Sequence, residues 1–140
     1  MFELHADLRR DCFALGKFPL CHVLGMNDVN FPWFILVPEC PGVREIYQLS
    51  STDQQQLLCE SSYLAQQLAL EFNADKMNIA ALGNITSQLH VHHIVRYRSD
   101  PVWPKPVWGQ RAATPYTTSQ RADLITRLKR CLTRDLVFLN

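Results

Sequence analysis

The stretch Gln88-Leu89-His90-Val91-His92-His93-Ile94-Val95 mixes apolar and polar side chains in near-regular alternation and contains several β-branched residues. That pattern predicts a β-strand. Its period of two sends Gln88, His90 and His92 to one face and Leu89, Val91, His93 and Val95 to the other. Two imidazoles and a carboxamide therefore share a surface. Near neutral pH an imidazole can be a neutral nucleophile, a proton donor or a cation set against phosphate, so two of them in register are the natural place to look for chemistry. A solvated strand edge would carry the same residues, and the rest of the chain has to distinguish the two.

Working outward, Met77 to Leu82 is a short apolar run, and Gly83-Asn84 is a turn signal before the histidines. Together they predict a hairpin. Further upstream, Ser51 and Gln54 have the spacing of a capping box, followed by Leu57, Leu64, Leu68 and Phe72 on one helical face. This is the long helix. The apolar run from Trp33 to Val37, ended by Pro38, predicts a central strand. Cys12 to Leu15 and Leu20 to Leu24 predict two more strands, with Gly16-Lys17-Phe18-Pro19 as the turn between them. Leu4, Leu8 and Phe13 recur at near-helical spacing and predict a short helix at the start.

Downstream, residues 96–109 contain Pro101, Pro104 and Pro106 together with Trp103 and Trp108, a composition that excludes regular structure. From Ser119 the apolar residues Leu124, Ile125, Leu128 and Leu132 return to helical spacing. Arg127, Lys129, Arg130 and Arg134 lie toward the end, where cations favour the helix dipole. The fold class expected is α+β: an antiparallel sheet of about five strands, one long helix packed on it and a C-terminal helix.

At 140 residues the chain has the size of one domain, with a core over about 1–98 and the Trp/Pro-rich segment and last helix over 99–140. A net charge of +1 with 19% charged residues points to neither a nucleic acid nor a membrane as partner. Five scattered cysteines without a Cys-x-x-Cys pair are expected to be reduced and mostly buried. The first ten residues are charged where a signal peptide would be apolar, and no uncharged apolar run of about 18 residues occurs, so a cytoplasmic location is expected.

The histidine strand resembles the signature of the histidine triad (HIT) family, His-φ-His-φ-His-φ-φ with φ apolar, preceded by a glycine five residues before the first histidine. Gly83 stands five residues before Gln88, and the pattern runs on as Gln-Leu-His-Val-His-His-Ile. The chain resembles a variant branch, with Gln88 in the first triad position and His93 in an apolar one. Asn27-Asp28 before Phe31-Pro32-Trp33-Phe34-Ile35-Leu36-Val37-Pro38 is similar to the family strand that ends in proline. In much of the family a further histidine lies near the start of that strand, where this chain has Trp33. The resemblance spans roughly the first hundred residues.

What the resemblance implies is a nucleotide hydrolase or nucleotidyl transferase acting at an α-phosphate of a dinucleoside polyphosphate or nucleoside phosphoramidate. His90 would form a nucleotidyl-histidine intermediate, with its Nδ1–H held by an acceptor. His92, roughly 7 Å along the strand, would stabilise the phosphoryl group or donate a proton. Gln88 can hydrogen-bond a phosphate oxygen but cannot surrender a proton near neutral pH. Asn27 and Asp28 would meet the ribose hydroxyls, Asn78 and Asn84 the phosphate or its loop, and Arg96 the departing phosphates. The partners implied are a nucleotide substrate and a second copy in a homodimer, and no cofactor is expected.

Each assignment has a plainer counterpart. Asn27-Asp28, Asn78 and Asn84 also suit ordinary turns, and Arg96 and Arg98 a solvated surface. Trp103 and Trp108 suit a latch over the sheet, a subunit contact or a base-stacking wall, whereas Trp33 suits the core. His93, facing away from His90, suits a satisfied histidine at the core rim. A zinc site on His90 and His92 would need further ligands, and none lies in motif spacing, so no metal is expected. The rival functions are a non-catalytic or weakly catalytic nucleotide-binding regulatory module, and a regulatory dimer that contacts another protein through its Trp-Pro segment.

Overall fold

The computed structural model describes residues 1–140. Six strands form one antiparallel sheet in the order β4-β5-β3-β2-β1-β6. They are β1 (Cys12–Lys17), β2 (Cys21–Met26), β3 (Trp33–Pro38), β4 (Lys76–Ala80), β5 (Val91–Arg96) and β6 (Val137–Phe138). The α+β class and the central β3 are as expected; the sixth strand is an addition. With only two residues, β6 is too short to leave a periodic signal, and it exists because the chain end meets the free edge of β1.

The alternation of β3 and β5 sorts their side chains between two cores. Phe34 and Leu36, with Val91 and Val95, join Leu57, Leu64 and Leu68 of α2 (Ser51–Phe72) and Leu124 and Leu128 of α3 (Thr118–Cys131). Trp33, Ile35 and Val37, with Ile94, pack on the opposite face against Leu8 of α1 (Ala6–Asp11) and Val107 of the proline-rich segment. Each such apolar side chain contributes about 1.5–3 kcal/mol when fully withdrawn from water.

Helix α2 starts one residue earlier than its capping pattern suggests. Ser50 is the N-cap, accepting from the Asp53 amide, and Asn73 ends the helix in the left-handed region, which asparagine tolerates. On its inner face Glu60 is buried, and its carboxylate accepts from the Leu20 and Cys21 amides at 3.0 and 2.9 Å. Helix α3 is capped reciprocally by Thr117 and Gln120.

Three local expectations are corrected. Gly16 and Lys17 belong to β1 rather than to the turn, because Gly16 lies at an irregularity of the β1–β2 register and lets β6 approach closely. The histidine strand begins at Val91, so Gln88, Leu89 and His90 precede it in irregular backbone. Of the five free cysteines only Cys21 is buried; Cys59 is exposed and the other three are half-buried. No helix is long and apolar enough to cross a membrane.

Candidate active site

His90, just before β5, and His92, near its start, have ring centroids 4.9 Å apart and planes inclined at 72°. His90 Nδ1 is 2.7 Å from the Gln88 carbonyl oxygen. A carbonyl only accepts, so Nδ1 carries the hydrogen and a neutral ring keeps its lone pair on Nε2. His92 Nδ1 lies 3.0 Å from the Trp33 indole nitrogen, and the Trp108 ring stands nearly perpendicular to His92 at 5.1 Å. Burial, reinforced by the neighbouring His90 and then His93, pushes the His92 pKa down to about 3.

His93 faces the other way, as the strand period requires, and is fully buried. Its Nδ1–H donates to the Val91 carbonyl at 3.0 Å, and the Ser61 hydroxyl donates to its Nε2 at 2.7 Å. Burial lowers its pKa to about 4. It joins α2 to the sheet.

A cavity of about 480 Å³ opens over the two histidines, bordered by Asn84 and Thr86 of the preceding loop, Asp7 and Leu8 of α1, and Trp108. Gly83, which also borders it, has φ +83°, a left-handed conformation that glycine adopts without strain. The Thr86 hydroxyl donates to Asp7 at 2.8 Å, and that bond, with Arg10 nearby, lowers the Asp7 pKa. Arg10 is the only cationic side chain on the cavity wall, and it pairs with Asp7 and Asp11. The contribution of α1 carries no local sequence signal, because Asp7 and Thr86 lie 79 residues apart.

The remaining sequence-derived candidates are distributed differently. Gln88 lies off the cavity wall: its Oε1 accepts from the His5 amide at 2.8 Å and its Nε2 donates to the Glu3 carbonyl at 2.9 Å. Asn27 and Asp28 border a neighbouring cavity of about 470 Å³, separated from the first by Arg10, Asp11, Met26 and Trp108. The Asn27 carboxamide oxygen accepts from the Tyr116 amide at 2.9 Å, and Asp28 accepts from the amides of Asn30 and Thr114.

Asn78 accepts from Arg96 at 2.8 Å and lies away from the histidine cavity. Arg96 is not on a solvated surface: it is 1% exposed, bonded to Asp100 through both Nε and Nη2, with Phe31 and Trp103 against its guanidinium. Trp33 is buried, as expected, yet its indole N–H reaches the site. No group of three His, Cys, Asp or Glu side chains converges where it could hold a metal ion.

The pattern of the HIT domain matches residues 8–99. A histidine triad protein from Marinobacter aquaeolei VT8 has a solved structure to which this chain is 51% identical, over 96% of this chain and 98% of that one, with a TM-score of 0.94. A histidine triad (HIT) protein from Sinorhizobium meliloti 1021 is 40% identical over 94% of this chain and 97% of its own, at a TM-score of 0.91. One from Bradyrhizobium japonicum is also 40% identical, over 93% and 97%, at 0.90. No curated protein matches the chain.

Proposed function

The chain belongs to the HIT domain family, whose members are in general nucleotide-binding hydrolases and transferases, and we propose that it cleaves or transfers a nucleotidyl group through His90. The observation that carries this reading is the 2.7 Å contact between His90 Nδ1 and the Gln88 carbonyl, which leaves Nε2 as the nucleophilic nitrogen beside an open cavity. Nε2 attacks the α-phosphorus, and the bond to the leaving group breaks with its electron pair on the leaving group. As the ring becomes cationic, the Nδ1–H bond to the carbonyl becomes charge-assisted and stronger. Water then attacks phosphorus, the N–P bond breaks with its pair returning to Nε2, and the water proton passes to solvent.

His92 stabilises the phosphoryl oxygens in this reading, and Asn84 and Thr86 supply further polar contacts from the cavity wall. Gln88 in the first triad position marks a variant branch. Its carboxamide gives no proton near neutral pH and is engaged with Glu3 and His5, which favours leaving groups stable as anions. Dinucleoside polyphosphates are therefore the better substrates and nucleoside phosphoramidates the poorer. Asn27 and Asp28 shape the adjoining cavity for the nucleoside, while Asn78 and Arg96 bond to each other and line neither cavity. Residues 1–140 act as one domain. The functional unit is a homodimer, supported by the exposed Leu58 and Ile79 beside the open edge of β4.

Release of nucleoside monophosphate from both substrate classes, by wild type and His90→Ala, tests the reaction. Turnover by the wild type and its loss in the variant are expected. Nucleotide binding without release would replace the enzyme by a binding module.

A further inference from the structure

We propose that Trp33 is a positioning residue that sets His92 in the tautomer opposite to that of His90, so that a lone pair and an N–H donor stand side by side in the cavity. This rests on the reading of His90 as nucleophile. The indole nitrogen has a hydrogen and no acceptor capacity, so at 3.0 Å the His92 Nδ1 must receive it. A neutral His92 then carries its own hydrogen on Nε2. At His90 the partner is a carbonyl oxygen, 2.7 Å from Nδ1, and the hydrogen sits on the other nitrogen.

The environment makes that choice firm. Trp33 is 7% exposed and His92 4%, so water cannot replace either partner. The other tautomer would set two N–H groups against each other in a buried place, leaving both without an acceptor. Burial already keeps the imidazolium from forming at neutral pH, and Trp33 then selects between the two neutral forms.

The sheet register fixes the donor. Trp33 pairs with Ile94, and His92 is two residues before Ile94, so the two side chains are diagonal neighbours on one face of β3 and β5. Trp108 stands edge-on to both rings, at 5.8 Å from Trp33 and 5.1 Å from His92, and opposes rotation of the imidazole.

The consequence for the reaction is electrostatic. With both rings in the His90 tautomer, two lone pairs would face an anionic phosphoryl group. With the tautomers opposed, His90 offers an electron pair to phosphorus and His92 offers a hydrogen to one of its oxygens. A histidine in the place of Trp33 could give or accept a hydrogen; an indole can only give one, so this chain removes the ambiguity.

Two-bond nitrogen–proton correlations of the ligand-free protein, labelled with ¹⁵N-histidine, read the tautomers directly, with His92→Gln identifying the signal. The wild type is expected to show His92 as Nε2–H between pH 6 and 8, and the neutral form of His90 as Nδ1–H. Trp33→Phe keeps an aromatic ring and removes the donor; it is expected to mix the His92 tautomers and lower kcat at least about tenfold, with a smaller change in KM. An Nδ1–H signal for His92 in the wild type overturns the proposal, whether or not the variant folds. An unchanged tautomer in a folded Trp33→Phe does so too. If the wild type turns over no substrate, the catalytic reading falls, and the spectra still decide the role of Trp33.

Discussion

The three histidines of one short chain segment live under different rules. His90 borders the cavity with its Nδ1 tied to the Gln88 carbonyl, His92 borders it with Nδ1 tied to Trp33, and His93 turns inward to Ser61. The last two must stay uncharged to remain folded, and that gives a pH dependence of known sign. Their folded pKa values, about 3 and about 4, lie below the ordinary 6.5. Between those values and 6.5 the unfolded chain binds protons that the folded chain does not. Stability is therefore fully present above pH 6.5 and falls as the pH drops toward 4, by roughly 2–3 kcal/mol for each ring. Urea midpoints measured from pH 7.5 to 4.5 should decline over that window, and His93→Gln should make the slope shallower while lowering stability at pH 7.

At the scale of elements, the N-terminal segment and the last strand are both held by contacts that a single side chain can remove. Gln88 clasps Glu3 and His5 much as a neighbouring strand would, one donor and one acceptor, and so brings α1 to the wall of the cavity. Strand β6 depends on Gly16, where an added Cβ would run into the Val137 carbonyl and the Phe138 backbone. Gly16→Ala should therefore displace β6 from the edge of β1 at a cost of about 1–3 kcal/mol. Hydrogen exchange at the Leu139 amide, which donates to Leu15 at 2.9 Å, is the direct readout; it should accelerate while β2, β3 and β5 stay protected.

Across the whole molecule, the proline-rich segment is bound to the sheet by a buried ion pair. Arg96 at the end of β5 holds Asp100, and the chain then returns over the sheet to place Trp108 against His92. Farther along, Asn27 and Asp28 catch the amides of Tyr116 and Thr114. Asp100→Asn removes the only anion paired with Arg96 and should cost about 3–5 kcal/mol, read from urea unfolding, with a change in tryptophan fluorescence as Trp103 and Trp108 loosen. The same scale carries the partner expectation. Sedimentation velocity should give twice the chain mass of 16.1 kDa, and Leu58→Lys with Ile79→Lys should return the monomer. A wild-type monomer would remove the homodimer.

Periodicity is a local property, and what it determines here is considerable. The apolar spacing of Leu57, Leu64, Leu68 and Phe72 predicts the long helix, Trp33 to Val37 predicts the central strand, and the alternation about His92 and His93 places them on opposite faces. The histidine spacing and Gly83 point to the family that the chain belongs to. Several partners of polar groups lie far off in the chain, and no spacing reveals them. That Gln88 holds Glu3 and His5, that Arg96 is buried on Asp100 rather than solvated, and that an indole faces His92 were all decided in the tertiary structure. Gln88 with Glu3, and Trp33 with His92, join groups far apart in the chain; Arg96 and Asp100 are four residues apart, and it is packing that buries them. Each pairing exists because a polar atom withdrawn from water must find its partner within the fold.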